Sequence, residues 1–269
     1  LHLSIRRQRQ MCIRDRHTTY QLDDNNELQL NYSLRVNRPE ADDMNPFPEY
    51  QNPLSLKAGN PYLLPEKIHS IEAGYQWRKG ATNILSTLYY HYTTDKLTTV
   101  TKYLDNSILL MTKENLNSSQ SAGLELIINT DIKKWMNINL SGNVYYNQIN
   151  AEKLGYRKNK NNIAWSSALN ANFNIFKGAI LQLNSRYTSS SLLPQGKREG
   201  AFITNLGAKY EIPLTNLSIM GTVSDLFNTF KKVYTIDTPQ LKQRIEQWRN
   251  PRIFYIGIIW NFGSSQHKD

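Results

Sequence analysis

Cysteine is nearly absent: the 269 residues hold one, Cys12. A single thiol excludes an intrachain disulfide framework and a cysteine-built zinc site. Histidine is scarce too, and His2, His17, His69, His91 and His267 never fall at the HExxH spacing of a zinc protease. There is no GxSxG, no P-loop and no GxGxxG, so the sequence marks of serine hydrolases, nucleotide hydrolases and dinucleotide enzymes are missing. The expectation is a protein that is not an enzyme, with no catalytic residue, no cofactor and no metal. Long apolar runs are missing as well. No stretch approaches the 18 or more apolar residues of a spanning helix, and mean hydropathy is −0.57. Neither fact bears on barrel strands, which put only alternate residues into lipid and average out as polar.

Acidic residues are outnumbered, 22 against 32 Lys and Arg, for a net charge of +10. Much of the excess lies in residues 1–16, where Arg6, Arg7, Arg9, Arg14 and Arg16 face only Asp15; this +4 leaves +6 for the rest. Met11 to Arg16 reads like a sequencing-library transposon end translated in one frame, so residues 1–16 are set aside from fold reasoning as a scar. No apolar leader core precedes His17, and the chain is expected to be a fragment lacking its native N-terminus. The basic run Lys153 to Lys160 reads as a solvated loop able to meet lipopolysaccharide phosphates, not as a nucleic-acid site.

What is abundant is period two. Met136, Ile138, Leu140, Gly142, Val144 and Tyr146 alternate with Asn137, Asn139, Ser141, Asn143, Tyr145 and Asn147. Side chains alternate across a strand, so this segment has one apolar and one hydrophilic face. The same alternation runs through 28–36, 70–77, 165–175 and 254–262. It predicts ten strands: 26–37, 64–78, 81–102, 107–131, 136–150, 162–176, 179–191, 199–211, 216–227 and 251–263. Connections alternate between short turns, such as Arg78-Lys79-Gly80 and Lys177-Gly178, and long loops at 38–63, 151–161, 192–198 and 228–250. That asymmetry matches transmembrane barrels, whose long loops are extracellular. Segments 81–102 and 107–131 exceed the 9–11 residues a bilayer needs. They are expected to form one hairpin rising above the membrane and turning near Asp105-Asn106.

Alternation alone also fits a soluble, carbohydrate-binding β-sandwich. Against it stand hydrophilic faces of Asn, Gln, Ser and Thr instead of Lys and Glu, strands longer than usual, and aromatic residues at strand ends (Trp77, Trp135, Tyr187, Trp260) placed like interfacial girdles. The expected fold class is all-β: an antiparallel meander of about ten strands over 17–263, part of a transmembrane barrel, with a polar tail at 264–269.

The loop Asn45-Pro46-Phe47 … Tyr50-Gln51-Asn52-Pro53 … Gly59-Asn60-Pro61 … Leu64-Pro65-Glu66 resembles a stretch of the TonB-dependent receptor-like outer-membrane barrels of Bacteroidota. Val223-Ser224-Asp225-Leu226-Phe227-Asn228 resembles the Asp-Leu-Phe-Asn element near the end of such barrels, and Phe262 their closing aromatic. The resemblance covers roughly 20–263, the later part of a barrel of about 22 strands, with no plug or energy-coupling box in view. It implies uptake of a scarce solute across the outer membrane of a Gram-negative bacterium. The implied partners are membrane lipid, lipopolysaccharide, a periplasmic energy-coupling protein reached through the absent N-terminal part, and a surface lipoprotein. A structural or adhesin-like barrel is the alternative. Two raw sheet edges are expected, near 26–37 and at 251–263. The substrate-binding candidates are Phe47, Tyr50 and Tyr62 in the proline-rich loop and Arg186 on a polar strand face.

Overall fold

The computed structural model describes residues 13–104, 108–116, 118–150, 152, 159–238, 241–248 and 252–261. In chain order the first elements are β1 (Ile13–Gln21), β2 (Asn26–Asn37), α1 (Ala41–Met44), β3 (Glu49–Asn52), β4 (Ser55–Lys57), β5 (Glu66–Lys79) and β6 (Thr82–Thr94). There follow β7 (Leu97–Tyr103), β8 (Leu109–Asn115), β9 (Ser118–Lys133), β10 (Met136–Asn150), β11 (Lys160–Phe176) and β12 (Ala179–Thr188). The last are β13 (Ser191–Leu193), β14 (Gly196–Arg198), β15 (Ala201–Glu211), β16 (Leu217–Ser224), β17 (Lys231–Asp237), β18 (Lys242–Trp248) and β19 (Ile253–Trp260).

Eleven strands form one antiparallel sheet in the order β1-β2-β5-β6-β9-β10-β11-β12-β15-β16-β19. Each neighbour follows its predecessor in the chain once the loop strands are skipped, which makes the sheet a meander. No pairing joins β1 to β19 among the described residues, so the sheet is open. Ten spanning strands were expected; the eleventh is β1, which pairs with β2 from Ile13↔Arg35 to Gln21↔Glu27. It covers the edge expected at 26–37 and carries the pairing back into the segment set aside as a scar. The other expected edge, β19, stands as such. Phe262, the polar tail, residues 1–12, Lys153–Arg157 with Lys158, and the turn at Asp105-Asn106 lie outside the described residues.

All turns at one end of the sheet are short. In the first, between β1 and β2, the Asn25 backbone N–H donates to Asp23 Oδ1 at 2.8 Å and, with the Asn26 side chain, holds that carboxyl below the usual carboxylate range. At the other end, four of the connections (β2 to β5, β6 to β9, β12 to β15 and β16 to β19) fold, among the described residues, into two four-stranded caps, β3-β4-β8-β7 and β13-β14-β17-β18. The expected continuous hairpin over 81–131 is therefore broken. Asp95 adopts φ 51°, a left-handed kink that ends β6, and Asn115 Nδ2 donates to its carbonyl at 2.6 Å. Past the kink, β7 and β8 leave the main sheet as an antiparallel pair, and β8 joins β4 in parallel.

The sheet is inside-out relative to a soluble fold. Leu140, Val144, Ile163, Leu124, Leu88, Ile71 and Ile219 all expose their side chains on the convex face, and Ile256 and Ile258 on β19 reach 86% and 73% exposure. The fully buried large side chains, Leu116, Val100 and Val233, lie in the caps or at their base. There Leu116 packs with Ile149 and Leu192. Aromatic residues mark both rims of the apolar face. Trp77, Trp135 and Trp260 sit at the short-turn end, and Trp165 packs at a tilt against Tyr187 (centroids 4.4 Å apart) toward the caps. The eleven spanning strands make one sheet, which leaves no second layer for a sandwich.

Candidate functional site

The concave face carries the hydrophilic half of every alternation, and register sorts it into rows. Asn83, Asn129, Asn139, Asn170, Asn184 and Asn205 are successive partners across β6, β9, β10, β11, β12 and β15. Their amides bond to one another: Asn139 donates to Asn129, Asn170 to Asn139 at 3.3 Å, and Asn184 to Asn170. Gln76 donates to Asn83 at 2.8 Å, and Asn205 Oδ1 accepts from Ser224 and the Asp225 backbone N–H. A primary amide both donates and accepts, so a row of them can satisfy itself across strands without water or charge. A shorter row lies one step nearer the turns, where Asn172 donates to Asn137 and Asn137 to Asp131.

Nearer the caps the wall changes character around a concavity of about 620 Å³. Its floor is the row Thr87, Glu125, Asn143, Ser166, Thr188. Glu72 and His91 stand at one side, with His91 Nε2 3.6 Å from the Glu72 carboxylate and stacked on Tyr89. Arg186 stands at the other side, and Arg198 reaches the same space from β14. Neither arginine, nor Glu125, has an ion-pair partner among the described residues. Glu125 and Arg186 are three strands apart, about 14 Å along the wall, where their attraction through water is only about 0.3 kcal/mol. The concavity thus presents separated, unneutralised charges of opposite sign.

Gly123 makes room for this arrangement. A Cβ there would fall 2.6 Å from the Tyr89 hydroxyl oxygen and 2.7 Å from Tyr145 Cβ. Tyr89 lies over the glycine and donates to Asn143 Oδ1 at 3.0 Å, crossing β9 to do so. Only a residue without a side chain permits that crossing.

Of the candidates read from sequence, Arg186 alone lines the concavity. Phe47, Tyr50 and Tyr62 lie on the caps with exposures of 76%, 72% and 86%, away from it. Their loop has a clear structural logic. In Asn45-Pro46-Phe47, Asn52-Pro53-Leu54 and Asn60-Pro61-Tyr62, the asparagine Oδ1 accepts the backbone N–H two residues on, at 3.2, 2.9 and 3.0 Å. Each is an Asx-turn closed over a proline that has no N–H of its own. Gly59 permits the packing of this loop on itself, since a Cβ would meet Asn45 and Asp43 backbone atoms at 2.6 Å. The element Asp225-Leu226-Phe227-Asn228 is a second such device. Buried Asp225 accepts the N–H groups of Thr229 and Phe230, both at 3.0 Å, and ends β16. Parity along β9 turns Glu125 to the same face, and sequence reasoning missed Arg198, which comes from a three-residue strand too short to show alternation.

Gln195 ties the two caps together over this wall, and Lys160, on spanning strand β11, ties the second cap to the sheet. Gln195, in the turn from β13 to β14, accepts the Thr101 N–H at 2.7 Å and donates to the Thr101 carbonyl at 3.0 Å. Lys160 Nζ donates to the Pro194 carbonyl at 3.2 Å. Within the second cap, Glu246 and Glu199 grip Arg244 and hold its guanidinium above its ordinary value.

An open meander with an apolar convex face, a wet concave face and one-sided long loops is the wall of an outer-membrane barrel. The model of the outer membrane protein beta-barrel family matches residues 16–260. The chain belongs to that family. Its location is accordingly the outer membrane of a Gram-negative bacterium. No curated protein matches the sequence. Among solved structures, this family member is similar to the siderophore receptor PirA from Pseudomonas aeruginosa, at 14% identity and TM-score 0.62 over 91% of this chain and 41% of that one. It is also similar to the copper transporter OprC (11%, TM-score 0.63, 91% and 38%) and to the ferric-catecholate import receptor Fiu from E. coli K12 (14%, 0.58, 91% and 34%). These likenesses show the fold, and the chain spans about two fifths or less of each structure's length.

Proposed function

We propose that this chain is the C-terminal barrel part of a TonB-dependent receptor of the Bacteroidota type, one that takes up a scarce solute. The observation that carries the reading is the cap-side concave wall: unpaired charges are kept on a wet inner face, beneath long loops, in a sheet shaped like part of receptor barrels. A purely structural wall has no need of them, and the amide rows show that this sequence can build one without. In this reading the convex face meets lipid and the basic loop meets lipopolysaccharide. A periplasmic energy-coupling protein acts through an upstream plug, and a surface lipoprotein can cover the caps. Arg186 contacts solute inside, while Phe47, Tyr50 and Tyr62 present aromatic faces to it outside.

The experiment is to sequence the source DNA across the junction before His17. An open frame running upstream into further alternating strands, a plug and a leader supports the receptor. A genuine gene start at residues 1–16, with no plug, removes transport and leaves a structural or adhesin-like barrel.

A further inference from the structure

We infer that the cap-side concavity is a site for a dipolar, linear solute of the short-peptide class, held by its two charged ends. This deepens the receptor reading and rests on it. The anionic side is Glu125, with Glu72 beyond it; the cationic side is Arg186 and Arg198. Between them, on the same register row as Glu125, lie Asn143 and then Ser166. On that row β12 contributes Thr188, and Arg186 stands one row nearer the turns, so the order across the wall is carboxylate, amide, hydroxyl and then a guanidinium offset by one row.

That order is complementary to a peptide. An α-ammonium donates to the carboxylate, backbone amides find neutral donors and acceptors along the middle, and a terminal carboxylate takes the guanidinium in a two-bonded fork. A compact anion would use only the arginine side and leave Glu125 without a partner. A compact cation would meet the converse. Spacing sets the length: about 14 Å along the wall corresponds to roughly four residues of extended chain at about 3.5 Å each. The Asn143 carbonyl is already taken by Tyr89, so its Nδ2 points the donating end of the amide at the solute.

The test uses outer-membrane vesicles from cells carrying the protein, and matched vesicles lacking it. Both are equilibrated with radiolabelled tetra-alanine having free ends, an N-acetyl cap or a C-terminal amide. The expected result is saturable binding of the free peptide, with each capped form at least about ten-fold weaker, since each cap removes one charge-assisted end contact. Glu125→Gln should lower binding of the free peptide to the N-acetyl level and leave the N-acetyl value where it was. Arg186→Gln combined with Arg198→Gln should do the same for the amide form. Equal binding of the three peptides, or no saturable binding of the free one, overturns the proposal. Sensitivity to the C-terminal cap alone also overturns it, and makes the concavity an anion site. The comparison among peptides uses the unaltered protein, so it decides the matter even where a variant fails to reach the membrane. Binding as expected without energy-dependent uptake keeps the site and removes transport; uptake of another solute without end discrimination keeps transport and removes the site.

Discussion

The inner wall has two levels built from the same strands, and they solve the problem of hydrophilic groups in opposite ways. Toward the short turns six asparagines align, the middle four bond side by side and the outer two bond to Gln76 and to Ser224 and Asp225, so this row is neutral and self-satisfied. Four residues nearer the caps along β9, Glu125 faces open space with no ion-pair partner among the described residues, as does Arg186 along β12. A charge withheld from its nearest opposite must stay hydrated or meet something that arrives. The lower level is therefore a girder and the upper level a surface held ready for contact. Alternation in sequence is identical at both; only the residue chosen for the hydrophilic position differs.

The largest effect should come from a change that ignores the levels altogether. Leu140 points outward from the strand position next to ladder residue Asn139. Leu140→Arg in the complete protein should lower folding stability in lipid by roughly 2–4 kcal/mol, the penalty of a guanidinium near the bilayer midplane. A urea titration in vesicles measures it. A loss equal to that of an inward substitution on the same strand would sink the assignment of faces.

Next comes the girder itself. Asn139 donates to Asn129 and accepts from Asn170, so Asn139→Leu removes two bonds and strands the amides on either side. At about 1 kcal/mol net per bond the loss should be about 2 kcal/mol. The double variant Asn139→Leu, Asn170→Leu should lose less than the sum of the singles, because the two share a bond. Strict additivity in the same titration would mean that the ladder is a coincidence of register and not a network.

The roof should yield less. Gln195→Ala removes both bonds to Thr101, each between partly buried groups, and should destabilise by about 1 kcal/mol. The effect should be local: faster amide exchange at Thr101 and its neighbours in β7, with Asn139 and Asn170 unchanged. Uniform acceleration across both levels would show that the caps and the lower wall unfold as one unit.

Most of the spanning sheet was legible because period-two alternation is strong over twelve or more residues and turn residues interrupt it cleanly. β10, expected at 136–150, spans Met136–Asn150, and β5, expected at 64–78, spans Glu66–Lys79. The misses have physical causes. β1 lay partly under the segment set aside as a scar because Met11 to Arg16 reads like a translated transposon end. The cap strands, β13 and β14 among them, are three to seven residues long, and their pairing is decided by distant partners: β4 takes β8 in parallel at a separation of 54 residues, Ser55 to Leu109, which no local pattern announces. The site was half legible. Arg186 and Glu125 could be placed inward by parity, but their position on neighbouring rows, and Arg198 above them, depend on register across several hairpins. The aromatic candidates Phe47, Tyr50 and Tyr62 stand on the caps outside the concavity, and where their loop lies relative to it depends on cap pairing that no local pattern announces.

The smallest expected effect sharpens the comparison most. If Glu125 belongs to a level kept wet and unpaired, Glu125→Gln removes no ion pair and leaves no orphan, since the amide keeps a carbonyl toward solvent and gains donors toward Asn143. Its effect on stability should stay within about 0.5 kcal/mol of zero, as for a solvated surface position, while the same one-atom chemistry in reverse at the lower level should not. Asn139→Asp places a charge between two amides whose bonds to it are already arranged, turns its donating end into a second acceptor, and sets two acceptors against each other at Asn129. That change should cost about 1–3 kcal/mol at pH 7 and recover in part as the new carboxyl takes up a proton toward pH 4. The sign follows from the missing donor, which protonation restores. A pair of urea titrations at pH 7 and pH 4 on the two variants reads the contrast directly. Equal sensitivity at Glu125 and Asn139 would erase the distinction between a wall that holds itself and a wall that waits for a solute.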